Sequence, residues 1–335
     1  MTEPLVSVNM ITYNHAPYIA QAIEGVLQQK TNFPFELVIG EDCSTDGTRE
    51  IVFEYQKKYP DIIRVITSDQ NVGAKKNGYR LRKACRGKYI AFCEGDDYWH
   101  HPGKLQKQAD YLESHPECGL VYSSYDVYDV RSKRRTNDFI KYHNWEMPMK
   151  PDVFDFVEGK GGMSLGIQTC TIMVRRTIAE QIIESDPSLH QNEKFVQGDT
   201  QLWAEIAHMS HIHYIPESLA TYNLTDESAT RSKDIKKLLR FSISQAELYL
   251  YLCNKYNLPP SIRSKIEESW CNHSLRLAFH TRNAELADEV RKKKKTFTWK
   301  EWLRYYGAKN LTFYYLYRLA AFFPNLFRKK QADYK

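Results

Sequence analysis

Gly87-Lys88-Tyr89-Ile90-Ala91-Phe92-Cys93-Glu94-Gly95-Asp96-Asp97-Tyr98-Trp99 is the most informative stretch of this chain. Tyr89–Cys93 is a short apolar run without Gly or Pro, which predicts a buried strand. Three carboxylates in four residues follow it: Glu94, Asp96 and Asp97. In open α/β sheets, ligands bind outside the carboxyl ends of the strands. Carboxylates crowded there repel one another when partly desolvated. A hard divalent cation removes that cost, and Mg2+ typically takes one or two protein carboxylates together with substrate phosphate oxygens. A solvated acidic turn is the plainer alternative.

Outward from this stretch, strands and helices alternate. Leu5–Ile11, Phe35–Ile39, Ile62–Ile66 and Leu120–Ser124 read as further strands. Pro17–Gln29, Thr45–Tyr59, Asn77–Arg86 and Gly103–Ser114 carry apolar residues at helical spacing or end in helix-stop residues. Such alternation implies an α/β fold, a mostly parallel sheet with helices on both faces. Beyond it, Arg131–Arg135 reads as a charged loop and Glu158–Gly166 as a glycine-rich closing loop. Cys170–Val174 reads as a strand, Thr177–Glu184 and Asp199–Met209 as helices, and His211–Ile215 and Leu219–Tyr222 as two short strands. After Arg231 the chain reads as helices, interrupted at Leu258-Pro259-Pro260.

Two other strand ends are polar. Thr12-Tyr13-Asn14-His15 follows the first and could be an ordinary turn. Glu41-Asp42 ends the second, before a Ser44-Thr45-Asp46-Gly47 turn. The pair could accept from a base N–H or a ribose hydroxyl, or serve the turn alone. Asp199 opens a helix, where it is either an N-cap or a general base. GxGxxG, GxxxxGK[ST] and GxSxG are absent. His208, His211 and His213 cluster at a helix-to-strand junction that would point them along diverging faces, against a zinc site.

The order and spacing of VSVNMITYN, FELVIGEDCSTDGT, DQNVGAKKNG, GKYIAFCEGDDYW, PGKL and GDTQLWAEIA resembles the family 2 glycosyltransferases of the GT-A fold, over roughly Leu5 to Arg231. The resemblance implies a Rossmann-like GT-A domain over residues 1–230. It implies that Thr12, Tyr13 and Asn14 pack around a nucleoside and that Asp42, with Glu41 beside it, meets the base. Lys76 and Asn77 would border the nucleotide. Asp96 would face the ribose, Asp97 would hold a divalent metal (Mn2+ or Mg2+), and Asp199 would be the catalytic base. Arg231 is expected at the phosphates, and Gly162 and Trp203 on the acceptor side. Two departures stand out: Glu94 replaces a frequent Asp, and no His occurs in Tyr222–Ser228. The implied activity is inverting transfer of a sugar from a nucleoside-diphosphate donor, UDP or dTDP by the fit of Asp42 to a pyrimidine imide. The acceptor would be a hydroxyl of a cell-surface glycan or lipid-linked precursor. A non-catalytic nucleotide-sugar-binding module and a sugar-phosphate nucleotidyltransferase are the competing readings.

Composition divides the chain at the same place. The net charge is +6 over 335 residues, but residues 1–230 carry 24 Lys+Arg against 32 Asp+Glu, whereas 231–335 carry 23 against 9. The first part is therefore −8 and the second +14. Arg291–Lys295 followed by Phe297, Trp299, Trp302, Tyr305 and Tyr306 suits an interfacial helix on an anionic membrane, or a helix docked on the body with a solvated connector. No nucleic-acid recognition motif accompanies the charge. The start lacks the pattern of a signal peptide. Seven scattered cysteines without a CxxC pair read as reduced thiols. Together these predict a cytoplasmic enzyme, peripheral on the inner face of the membrane if the tail binds lipid.

Overall fold

The computed structural model describes residues 3–148, 150–158, 167–225 and 234–315. It divides into two compact units, Met1–Asp226 and Glu227–Lys335.

In the first unit, β1 (Val6–Thr12) is central. Val6, Val8 and Met10 are fully buried, as are the residues between them or nearly so, because both faces of the strand are covered. It pairs in parallel with β2 (Phe35–Glu41) on one side and β4 (Tyr89–Phe92) on the other, and β2 pairs in parallel with β3 (Ile63–Thr67). The connecting helices are α1 (Ile19–Leu27), α2 (Thr48–Lys58) and α3 (Ala74–Ala84). Helix α1 buries Ile19, Ala22, Ile23 and Val26, the spacing of one apolar face. The other half of the sheet is mixed. It contains β5 (Tyr98–Trp99), β6 (Cys118–Asp129), β7 (Arg134–Thr136), β8 (Met173–Arg175) and β9 (His211–Leu224). The path is β3-β2-β1-β4-β8-β6-β9-β5, with β7 paired to β6. Strand β8 is antiparallel to both neighbours, and β6 and β9 run parallel. Helices α4 (Lys104–Ser114), α5 (Phe139–Tyr142), α6 (Val153–Glu158), α7 (Arg176–Ser185), α8 (Pro187–His190) and α9 (Thr200–Met209) complete the unit.

The structure differs from the local expectations in four places. Cys170–Val174 is not one strand: a 3-10 turn over Thr169–Thr171 precedes β8 at Met173–Arg175. Arg131–Arg135 is not all loop: β6 runs on to Asp129, whose carboxylate accepts from the backbone N–H groups of Arg131 and Ser132, and the turn returns as β7. His211–Leu224 is one strand, not two. The gap suggested around Pro216 is a register shift against β6, where a residue without an N–H cannot extend the ladder. Helix α3 begins at Ala74, three residues before the expected start. Lys104, in the PGKL segment, is fully buried. Its Nζ donates to Gln108 Oε1 (2.7 Å) and lies over the Trp99 ring, and burial brings its pKa down to about 7.

The second unit is helical: α10 (Ile235–Lys255), α11 (Pro260–Thr281), α12 (Ala284–Lys293) and α13 (Trp299–Lys309), with a further helical stretch over 311–315. Pro260 starts α11, where its missing N–H is tolerated. Asn283 caps α12, and Thr298 with Glu301 forms a capping box on α13. Part of the basic run is absorbed locally. The Arg291 guanidinium lies over Phe297 and Trp302, Lys293 over Trp270, and Lys294 pairs with Glu301 at 2.7 Å. Among the described residues, no helix is long and apolar enough to cross a membrane.

Candidate active site

The ends of β1 and β2 are knitted into one surface. Asn14, in the left-handed region at φ 55°, donates its N–H to Ser44 Oγ (3.0 Å) and accepts at Oδ1 from Thr45 N–H (2.9 Å). His15 N–H donates to Thr48 Oγ1, and Ala16 N–H to Asp46 Oδ2. Asp46 also accepts from the Thr48 N–H and hydroxyl, and these bonds hold its carboxyl below its usual pKa despite some burial. Tyr13 stands out from this platform, 40% exposed.

Glu41 and Asp42 are both buried and both partnered. Glu41 accepts from Ser44 N–H (2.6 Å) and Thr67 Oγ1 (3.1 Å), with the Arg49 guanidinium 3.5 Å away. Asp42 accepts from the N–H groups of Val72 (2.9 Å) and Gly73 (2.8 Å) and from Ser68 Oγ. Arg80 lies 3.7 Å from it. Gly73 sits at φ 85°, a conformation that suits glycine and turns its N–H onto the carboxylate. Asp42 therefore fixes the loop between β3 and α3 at the edge of the cleft. Asn77 is buried and ties α3 to β2, donating from Nδ2 to Gly40 O at 2.7 Å. Lys76 points outward to Glu193 (2.7 Å, an exposed pair). Its neighbour Lys75 reaches the carbonyls of Asn192 and Phe195, in the segment leading to Asp199.

The end of β4 is different in kind. Gly95 N–H donates to Ile11 O, which draws the turn against β1. A Cβ at Gly95 would lie 2.6 Å from Thr12 Oγ1 and 3.0 Å from His15 Nδ1, so only glycine fits this approach. Asp97 is 4% exposed and accepts from the Asn223 N–H at the end of β9 (2.8 Å) and from the Cys170 thiol. The Asn223 side chain donates to Asp96 O (2.6 Å). Neither Glu94, Asp96, Asp97 nor Asp199 forms an ion pair among the described residues. Burial, then the charges of Asp96 and Glu94, push the Asp97 carboxyl well above the usual carboxylate range. Burial, then Asp96 with a contribution from Asp199, push Glu94 up to about 8.

Asp199 is half-buried and caps α9. Its Oδ1 accepts from Thr200 N–H (2.6 Å) and its Oδ2 from Thr169 Oγ1 (2.9 Å). Thr169 also lies beside Glu94. The short 3-10 turn Thr169–Thr171 thus links the base position to the acidic cluster. Trp99 Nε1 anchors that turn at Cys170 O (2.8 Å), and Gln108 anchors it at Thr171 O (2.7 Å). Trp203 is buried, edge-on to Phe92 at 5.2 Å, so it packs α9 onto β4. Gly162 and Arg231 lie outside the described residues. The histidines do not converge: His208 bonds Asp152, and His213 stacks on Tyr111.

Among the described residues no group of three or more His, Cys, Asp or Glu side chains is arranged to hold a metal ion, so a fit to a divalent cation rests on the unpartnered oxygens alone. Glu94 Oε2 and Asn223 Oδ1 are buried without a hydrogen-bond partner, next to the Asp97 carboxylate, which accepts from the Asn223 N–H but has no ion-pair partner among the described residues. Oxygen-only ligands of this kind suit Mg2+ or Mn2+. Thr169, Cys170 and Asn223 were not picked out as site residues in the sequence. Only Asn223 left a trace there, as a polar residue in the stretch where the family often has His.

The family model described as "Glycosyl transferase family 2" matches residues 7–182, more than half of the chain. The uncharacterized protein Rv1520 of Mycobacterium tuberculosis is 46% identical over 116 residues, 35% of this chain and 34% of that protein. The chain therefore spans about a third of that relative's length. The putative glycosyltransferase EpsE of Bacillus subtilis is 28% identical over 267 residues, 77% of this chain and 85% of EpsE. The crystal structure of S. aureus TarS 1–349 superposes with a TM-score of 0.55 at 16% identity, covering 96% of this chain and 93% of that one. At that identity the likeness is one of fold. TarS 1–349 has also been solved in complex with UDP-GlcNAc, a match at TM-score 0.50 and 16% identity over 94% of this chain and 91% of that one.

Proposed function

The chain belongs to glycosyl transferase family 2, and we propose that it is an inverting transferase that moves a sugar from a nucleoside diphosphate to an acceptor hydroxyl. The observation that carries this reading is the convergence of Asp199 with Glu94, Asp96 and Asp97 at the strand ends, joined through Thr169.

Asp199 serves as general base. Thr169 and Thr200 fix its carboxylate and leave lone pairs directed at the cleft. The acceptor O–H gives its proton to Asp199 as its oxygen bonds to the anomeric carbon. The bond from that carbon to the diphosphate oxygen breaks, and its electron pair leaves with the diphosphate. One displacement from the opposite face inverts the centre. A divalent cation held by Asp97, with Asp96 and Glu94 beside it, would supply Lewis-acid stabilisation of the leaving diphosphate. Asp42 and the 68–73 loop form the base-side wall, and Asp42 Oδ2 keeps a lone pair for a pyrimidine N–H. Neighbours of the same fold solved with UDP-GlcNAc and with GDP-Man support a nucleoside-diphosphate-sugar donor. The platform of Thr12, Tyr13 and Asn14 flanks the nucleoside, and Lys76 and Asn77 border it. The acceptor is a hydroxyl of a glycan or of its lipid-linked precursor. The basic second unit brings the enzyme to an anionic membrane surface where such precursors reside.

The test incubates the full chain with a panel of nucleotide sugars and Mg2+ or Mn2+, and identifies the released nucleotide. Nucleoside diphosphate is expected. Pyrophosphate would identify a nucleotidyltransferase, and binding without release a non-catalytic module. Either result overturns the proposal.

A further inference from the structure

Lys104, the first residue of α4, is fully buried. It has no ion-pair partner among the described residues, and the ionisable groups close enough to act on its charge are two thiols, Cys93 and Cys170. Burying an amine without a counter-ion costs stability, and an apolar side chain of the same length would fill the space without that cost. What the amine holds is specific. Its Nζ donates to Gln108 Oε1 (2.7 Å), one turn further along α4, and lies over the Trp99 ring at 4.2 Å.

Both contacts lead to the same short turn. A side-chain amide has an accepting end and a donating end. With Nζ on its oxygen, Gln108 turns Nε2 the other way, where it donates to Thr171 O (2.7 Å) and Val121 O (3.3 Å). Trp99, held by the amine, donates from Nε1 to Cys170 O (2.8 Å). The 3-10 turn Thr169–Thr171 therefore receives a buried donor at two successive carbonyls, and both donors come from side chains that touch Lys104. Within the turn, the N–H groups of Thr171 and Ile172 donate to Gln168 O (2.9 Å) and Thr169 O (3.1 Å). The same turn reaches the cleft: Thr169 Oγ1 donates to Asp199 Oδ2 (2.9 Å), and Cys170 lies against Asp97.

We propose that Lys104 is a positioning residue for the base: by fixing the Gln108 amide and the Trp99 indole it locks the Thr169–Thr171 turn, and the turn sets the Asp199 carboxylate toward the acceptor hydroxyl. Being fully buried, Lys104 acts only through these two side chains. The catalytic consequence rests on the base role proposed for Asp199. The locking of the turn does not.

The test uses the full chain with Lys104→Met and Trp99→Phe. The first keeps the length of the side chain and loses the donor; the second keeps an aromatic ring and loses the indole N–H. One arm follows hydrogen exchange of the Thr171 and Ile172 amides by NMR, with thermal unfolding as the measure of global stability. The other measures kcat and donor KM for nucleoside diphosphate release. In Lys104→Met, exchange at the two amides should rise roughly tenfold with Tm near wild type. Its kcat should fall on the order of 10- to 100-fold with donor KM unchanged. Trp99→Phe should move both readouts in the same direction, by less. Wild-type exchange in Lys104→Met overturns the proposal. Faster exchange with an unchanged kcat also overturns it, since the turn would then not govern the base. A drop in Tm that carries exchange, kcat and KM with it assigns Lys104 to packing alone and overturns it as well. If the wild type releases no diphosphate from any donor, the proposed function fails, and the exchange arm still decides whether Lys104 locks the turn. Should Lys104→Met fail to fold, Trp99→Phe decides: unaltered exchange and kcat in it overturn the lock.

Discussion

Two pairs of acidic residues end two strands of the same parallel half-sheet, and their surroundings are opposite. Glu41 and Asp42, after β2, are buried among donors: backbone N–H groups, hydroxyls, and the guanidiniums of Arg49 and Arg80. Asp96 and Asp97, after β4, lie against each other and Glu94, and Glu94 in turn against the Asp199 carboxylate, with no ion pair among the described residues. In the first pair, charge is spent on holding loops. In the second it is left uncompensated, and the carboxyls of Glu94 and Asp97 rise toward the protonated form. The same residue types after neighbouring strands thus build a wall in one case and an acidic cluster without ion pairs among the described residues in the other. A buried carboxylate is stable when donors surround it, and when they are missing it either takes a proton or binds a cation.

Four measurements can break or sharpen this contrast. The largest effect belongs to the base: Asp199→Asn should lower kcat by about 10²- to 10⁴-fold while donor affinity stays near wild type. Turnover at the wild-type rate would remove Asp199 from its role. Next, Asp97→Ala should abolish the metal dependence of donor binding in calorimetric titrations. A wild-type metal titration in that variant would move the cation elsewhere. Third, stability in metal-free buffer should respond in opposite ways. Asp42→Asn loses acceptor capacity toward Val72 and Gly73 and should destabilise by about 1–3 kcal/mol in urea unfolding. Asp97→Asn removes a repelled charge and should be neutral or stabilising. Equal losses would mean that the two pairs are not different in kind.

The smallest effect is a slope with pH. Glu94 titrates near 8 in the folded protein against an ordinary 4.5. Between those values the folded state holds the extra proton, so metal-free stability should fall as pH rises through this window, by at most about 1.4 kcal/mol per pH unit. Glu94→Gln should flatten the slope, and so should saturating Mg2+ or Mn2+. A slope unaffected by the substitution would assign it to other groups.

Much of the first unit was legible in the sequence because its signals are local. Apolar runs of four to seven residues and apolar spacing on one helix face gave β1 to β4 and α1 to α4 nearly in place. The acidic residues after Tyr89–Cys93 were legible because a strand end is a fixed location in a parallel sheet. The sequence was less informative where partners come from far along the chain. The long β9 and the β7 return strand depend on pairing with β6, which no local pattern specifies.

By itself, then, the sequence determined the alternation of elements, the identity of the acids at the strand ends and the charge division between the two parts of the chain. These depend on residue type and short spacing alone. The tertiary structure decided which acids are satisfied and which are not, because several of their donors lie far along the chain, Ser68 26 residues from Asp42 and Asn223 126 residues from Asp97. It also brought Thr169 to Asp199. Electrostatic character depends on distance in space, and only the packed chain fixes that distance.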